Sequence, residues 1–116
     1  MVQLHGFDAT KRTSRTAQQA SIIISNGSRF PSRGYRDLAK SLKKSDSLGA
    51  AALYPLDTSE LGGTKNRQAA VLRELGSDRF LHIEINGPLR HRLSTEVSLQ
   101  TELFKMIGDW YRKQMM

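Results

Sequence analysis

Two histidines and a glutamate in the last third of the chain are where chemistry would be sought first. Arg79–Ile85 alternates Leu81, Ile83 and Ile85 against His82 and Glu84, the period of a half-buried strand. Asn86-Gly87 follows, the dipeptide that best suits a two-residue hairpin turn, and Leu89–Ser94 would return beside it, with Pro88 at its first position pushing it to an edge. In that register His82 faces His91 across the ladder, with Glu84 on the same side. Two imidazoles and a carboxylate can act as general acid and base in cleaving a phosphodiester, with Arg90 or Arg92 neutralising charge, or can bind a divalent metal. His82, Glu84 and His91 are thus the candidate catalytic residues of a small ribonuclease or phosphoesterase. Their spacing matches no metal or catalytic signature, and a histidine pair on an edge hairpin is more often plain surface.

A second candidate is Gly62-Gly63-Thr64-Lys65, just before an expected helix, where glycines admit close approach and an open helix start offers N–H groups to an anion. It could hold one phosphate, with Lys65 beside it. The spacing of a P-loop is absent, as is that of a Gly-x-x-Gly clamp, and a Gly-Gly turn with Thr64 as helix cap accounts for the same residues.

The third candidate is charge. The 116 residues carry a net charge of +7, from 18 Lys and Arg against 11 Asp and Glu. Residues 1–44 hold nine bases (Lys11, Arg12, Arg15, Arg29, Arg33, Arg36, Lys40, Lys43, Lys44) against two acids, so the whole surplus is N-terminal. Such asymmetry fits a surface that meets polyanions better than one that merely keeps a domain dissolved. Phe30 and Tyr35 lie in the same stretch and could stack on exposed bases. Tyr35 heads an apolar stripe and Phe30 precedes a proline, however, so burial is expected of both.

The elements that must position these groups follow from periodicity. Residues 1–19 are polar, without sustained apolar repeat, and read as a flexible basic arm; residues 20–116 read as one α/β domain. Ala20–Ser25 is a β-branched run closed by Asn26-Gly27, hence a strand. After Pro31, Ser32 can cap a helix over Arg33–Lys44, with Tyr35, Leu38, Ala39 and Leu42 facing inward. At 100° per residue Arg33, Arg36, Lys40, Lys43 and Lys44 fall about 80–180° from Tyr35, sharing the opposite flank. Leu48–Tyr54 reads as a small-residue strand ended by Pro55, and Lys65–Leu75 as a helix that buries Val71, Leu72 and Leu75 and stops at Gly76. Ser98 can cap a last helix to about Gln114, with Leu99, Leu103, Met106, Ile107 and Trp110 on one side. The order β-α-β-α-β-β-α predicts a small two-layer α/β sandwich with at least one parallel strand pair.

From Leu81 onward the outline also resembles the ribbon-helix-helix DNA-binding family: a strand, a short helix over Pro88–Val97, then a Ser-capped helix ending in Trp-Tyr-Arg-Lys. That resemblance implies a strand carrying His82 and Glu84 outward into a major groove, as half of a dimer's ribbon.

With no cysteine, disulfides and thiolate metal sites are excluded. The opening Met1–Asp8 lacks the basic start and apolar run of a signal peptide, and nowhere do about 18 apolar residues follow one another, so a cytoplasmic protein that does not engage a membrane is expected. No cofactor is expected. The leading expectation is a non-enzymatic RNA- or DNA-binding protein that grips phosphates through Lys11, Arg12, Arg15, Arg29, Arg33, Arg36, Lys40, Lys43, Lys44 and Lys65. The alternatives are an adaptor or inhibitor docking on an acidic protein surface, and the histidine-based phosphoesterase. Trp110, Tyr111, Met115 and Met116 could form a homodimer contact, although a core helix explains the same residues.

Overall fold

Ile22, Ile23 and Ile24 are all buried, as a strand covered on both faces requires. The computed structural model describes residues 1–77 and 79–115, and in it this strand lies inside a mixed four-stranded sheet. The strands are β1 (Val2–Phe7), β2 (Ile22–Ser25), β3 (Ala51–Leu53) and β4 (Leu81–Asn86), in spatial order β1-β4-β2-β3. β1 runs parallel to β4, β2 parallel to β3, and β2 antiparallel to β4. The helices are α1 (Arg15–Gln19), α2 (Arg33–Lys43), α3 (Arg67–Glu74), α4 (Gly87–Thr95) and α5 (Val97–Met115). The α/β class and the parallel pair joined through a helix are as expected.

Alternation along the strands splits the interior in two. Ile22, Ile24, Leu53, Leu81, Ile83 and Ile85 face one layer, against Tyr35, Leu38 and Leu42 of α2, Leu89 of α4, and Leu99, Leu103, Ile107 and Trp110 of α5. The Tyr35 and Trp110 rings meet edge to face at 5.1 Å, and Trp110 Nε1 donates to the Gly34 carbonyl at 2.8 Å. On the opposite face Ile23, Ala52 and Phe7 pack against Ala17 and Ala20 around α1. The dimer-contact residue Trp110 is therefore core, while Met116 and the Met115 side chain lie outside what is described.

Several expectations need correction. Residues 1–19 are not an arm: they form β1, a 3-10 turn at Ala9–Lys11, and α1. β1 is an edge strand with only Phe7 buried, so it shows no apolar period and is held instead by its ladder to β4 and by the Met1 amino group donating to Arg79 O at 2.9 Å. The Asn86-Gly87 hairpin and its return strand do not exist. Asn86 Oδ1 accepts from Leu89 N at 2.9 Å, capping α4 with Pro88 in its first turn, where a missing N–H costs nothing. Strand, helix and helix thus succeed one another as in the ribbon-helix-helix outline, but β4 is interior, with neighbours on both sides and His82 and Glu84 buried, so it cannot present a ribbon. α3 is capped by Asn66 rather than Thr64, and Val71 and Leu75 are exposed; only Ala69 of that helix is buried. Finally, α5 starts at Val97, with Ser98 inside it.

No helix among the described residues is long and apolar enough to cross a membrane.

Candidate functional site

Once Leu81, Ile83 and Ile85 point into the α2/α5 layer, His82 and Glu84 must point the other way, and that side of β4 is roofed rather than open to water. His82 is 4% exposed and Glu84 8%. The parallel register sets Gln3 beside His82 and His5 beside Glu84. His5 is exposed at the rim and its ring lies 4.8 Å from that of His82, centroid to centroid. His82 Nε2 stands 3.7 Å from Glu84 Oε1, and one donor atom from each of His5, His82 and Glu84 falls within 4.8 Å of the others. His5 Nε2 also lies 3.3 Å from Gln3 Oε1, which accepts from Asn66 Nδ2 at 2.6 Å.

The polar atoms here are short of partners. His82 Nδ1, Glu84 Oε2 and Arg12 Nε are buried with no hydrogen-bond partner among the described residues, a situation that native interiors normally avoid unless water, an ion or a ligand completes the site. Burial, with the nearby His5 adding to it, pulls the His82 pKa down to about 4, so its imidazole is neutral at neutral pH. Burial likewise pushes the Glu84 carboxyl up, opposed by His5, Arg12 and Arg90, whose positive charges favour its ionised form.

The Gly62-Gly63 pair belongs to this site, in a role other than holding phosphate. Gly63 has φ +62°, and a Cβ there would fall 2.9 Å from His82 Cδ2; a Cβ on Gly62 would overlap the Tyr54 ring. Ser25 Oγ holds the loop by donating to Gly62 O at 2.7 Å. Gly63 is needed because backbone lies directly on the imidazole, and Gly62 because backbone lies on the Tyr54 ring. Thr64 and Lys65 are exposed beyond it, before α3 begins.

The sequence-derived candidates divide accordingly. His82 and Glu84 come together as expected, but His91 is exposed on α4 and outside the cluster, because the hairpin that would have brought it there is a helix. His5 takes its place. Its signal was the alternation of Gln3, His5 and Phe7 against Val2 and Leu4, too weak alone to mark a strand. Arg90 lies against Gly6, where a Cβ would come 2.1 Å from its Nη1; since Gly6 alternates with His5, this contact is on the α4 side of β1. Arg92 pairs with Glu96 at 3.2 Å.

The basic residues are not on one face. Lys11, Arg12 and Arg15 accompany α1 on the Ile23 side of the sheet, while Arg33, Arg36, Lys40, Lys43 and Lys44 ride on α2 over the Ile22 and Ile24 side. Arg12 pairs with Glu60 at 3.7 Å and Lys43 with Asp57 at 2.7 Å. Phe30 is 84% exposed, against expectation, between Arg29 and Arg33; Tyr35 is buried as expected. Comparison with known family models, curated proteins and solved structures finds no match to this chain.

Proposed function

We propose that this chain is a hydrolase in which His5, His82 and Glu84 hold one divalent transition-metal ion, zinc by donor type, that activates a water molecule. The observation that carries this reading is the convergence of two imidazoles and a carboxylate from adjacent strands around buried polar atoms that lack partners. Two histidines with one glutamate is a donor set used by catalytic zinc, and three protein ligands leave a position for water. Tetrahedral zinc with bonds of about 2.1 Å holds its donors about 3.4 Å apart. The His82–Glu84 separation of 3.7 Å is already near that value, and rotation of the exposed His5 closes a set that lies within 4.8 Å. His82 is neutral and ready to ligate, and because burial raises the pKa of the Glu84 carboxyl, which must ligate as carboxylate, affinity rises with pH. His5, His82 and Glu84 would hold the ion, which would supply a bound water of pKa about 7. Such a centre would supply water as nucleophile to an acyl carbon or phosphorus, with the leaving oxygen or nitrogen taking up the proton as its bond breaks.

Equilibrium dialysis against zinc, followed by metal analysis, tests the site. One ion per chain is expected, with His5→Ala, His82→Ala and Glu84→Ala each weakening retention at least tenfold. Zinc-dependent hydrolysis of p-nitrophenyl acetate or bis-p-nitrophenyl phosphate should disappear in Glu84→Gln. Absence of zinc retention in the unaltered protein overturns the reading.

A second reading is favoured by Phe30. An aromatic ring that is 84% exposed between two arginines, next to the α2 bases, supports binding of single-stranded nucleic acid by stacking and phosphate neutralisation. Arg36→Glu, Lys40→Glu and Lys43→Glu together should abolish polarisation shifts of a labelled oligonucleotide, and Phe30→Ala should weaken them by about tenfold. Unchanged binding by the triple variant removes this reading.

A further inference from the structure

One of the buried unpartnered atoms, Arg12 Nε, belongs to a residue outside the metal-centre reading. Arg12 directly follows the 3-10 turn at the end of β1, seven positions beyond His5, and its backbone is fixed from both sides. Its N–H donates to Ala9 O at 3.2 Å and its carbonyl accepts from Gln18 Nε2 at 2.8 Å. The turn is itself capped by Asp8, whose Oδ1 accepts from Thr10 N at 2.9 Å. The guanidinium is also steered. Nη1 lies 3.7 Å from Glu60 Oε2, while Glu60 Oε1 accepts from Thr13 N at 2.9 Å and Ser14 N at 2.6 Å. Glu60 is therefore a fixed post. The contact at 3.7 Å falls outside hydrogen-bond range, which leaves the Arg12 fork underused. Arg12 stands on the same side of the sheet as His5, His82 and Glu84, and its charge acts on the Glu84 carboxyl.

Cation and cluster thus share one face of the sheet, which also carries the three unpartnered buried atoms, Arg12 Nε, His82 Nδ1 and Glu84 Oε2. We propose that Arg12 is the anion-binding residue of this centre and that the substrate carries an oxyanion, a carboxylate or a phosphoryl group, which the guanidinium fork takes beside the metal. This rests on the hydrolase reading. A planar guanidinium with free N–H donors matches such a group bidentately, and a pre-fixed arginine loses little freedom in doing so. A lysine at this position would supply charge without the fork.

The test is calorimetric titration of zinc-loaded and metal-free protein with two probes, methylphosphonate and acetate, using unaltered protein, Arg12→Gln and Arg12→Lys. Zinc affinity is measured in parallel. Arg12→Gln is expected to lose at least tenfold in affinity for the preferred probe, and Arg12→Lys to lose less, while both hold zinc as the unaltered protein does. Whichever probe binds more tightly assigns the group as phosphoryl or carboxylate. If zinc binds and neither substitution alters either probe, the Arg12 assignment is overturned and the metal centre stands. If zinc does not bind, the metal reading falls. Anion binding by metal-free protein that still depends on Arg12 then upholds the anion site alone, and binding that does not depend on Arg12 overturns it. Should Arg12→Gln fail to give a folded circular-dichroism spectrum, Glu60→Gln, which frees the fork while keeping Arg12, must shift probe affinity at least threefold, and no shift counts against the assignment.

Discussion

Removing His82 should flatten a specific part of the stability–pH curve, by an amount that its burial sets. The His82 pKa falls from 6.5 to about 4 in the folded chain because an almost fully covered imidazole, with His5 nearby, resists carrying charge. The unfolded chain keeps the ordinary value, so between these two pH values it binds the proton that the folded chain refuses. Stability from this group is therefore complete above pH 6.5, declines as pH falls toward 4, and declines no further below that, where both states are protonated. At about 1.36 kcal/mol per pH unit the full loss is about 3 kcal/mol, of which roughly 2.5 kcal/mol has gone by pH 4.5. The measurement is urea unfolding at pH 7.5 and 4.5, with chelator present, in Glu84→Gln and in Glu84→Gln/His82→Gln, so that the neighbouring carboxyl cannot respond. Glu84→Gln alone should lose 2–3 kcal/mol more than the double variant between the two pH values, with the denaturant slope unchanged. A difference under about 0.5 kcal/mol would mean that the imidazole is hydrated or already charge-compensated, and the buried-cluster reasoning would fail with it.

Glu84 carries the opposite sign: burial raises its pKa, so the unfolded chain ionises first as pH rises from the ordinary value of 4.5. Metal-free Glu84→Gln should accordingly be more stable than the unaltered protein at pH 8 and lose that advantage toward pH 4, and zinc should reverse the order at pH 8 in thermal melts. Gly63→Ala puts a Cβ at φ +62° and 2.9 Å from His82 Cδ2, and should cost about 1–3 kcal/mol in urea unfolding while weakening zinc retention. Asn86→Ala removes the α4 cap to Leu89 N and the donation from Nδ2 to Ala20 O at 3.2 Å, and should cost about 1–2 kcal/mol in the same assay.

The elements legible in the sequence are those whose buried face is continuous. β2, α2 and α5 each place large apolar side chains at the strand or helix period, and each was located to within a few residues. β1 was not, because an edge strand that buries only Phe7 carries almost no hydrophobic signal; its pairing depends on β4, far along the chain. α4 was missed because Asn-Gly followed by Pro suits both a tight turn and a helix start, and only the neighbouring β1, occupying the side where a hairpin partner would lie, decides between them. The same two ambiguities bear on the site. His82 and Glu84 are legible from their own strand, whereas the sequence points to His91 rather than His5 as the third member because it does not show that β1 is the neighbour of β4. Phe30 is expected inside because it is aromatic, but it is exposed and the neighbouring Pro31 is buried.

The ladder between β1 and β4 also constrains how the molecule comes into being. Met1 and Arg79, joined by a hydrogen bond, are separated by 78 positions, and closing so long a loop costs chain entropy before any reward from pairing arrives. Strand pairing of this span belongs to the slow end of folding, so during synthesis β1 must stay unpaired until β4 has been made. His5 then joins its partners only in the closing stage of assembly, and any competence that depends on the three residues switches on with completion of the fold rather than growing in gradually.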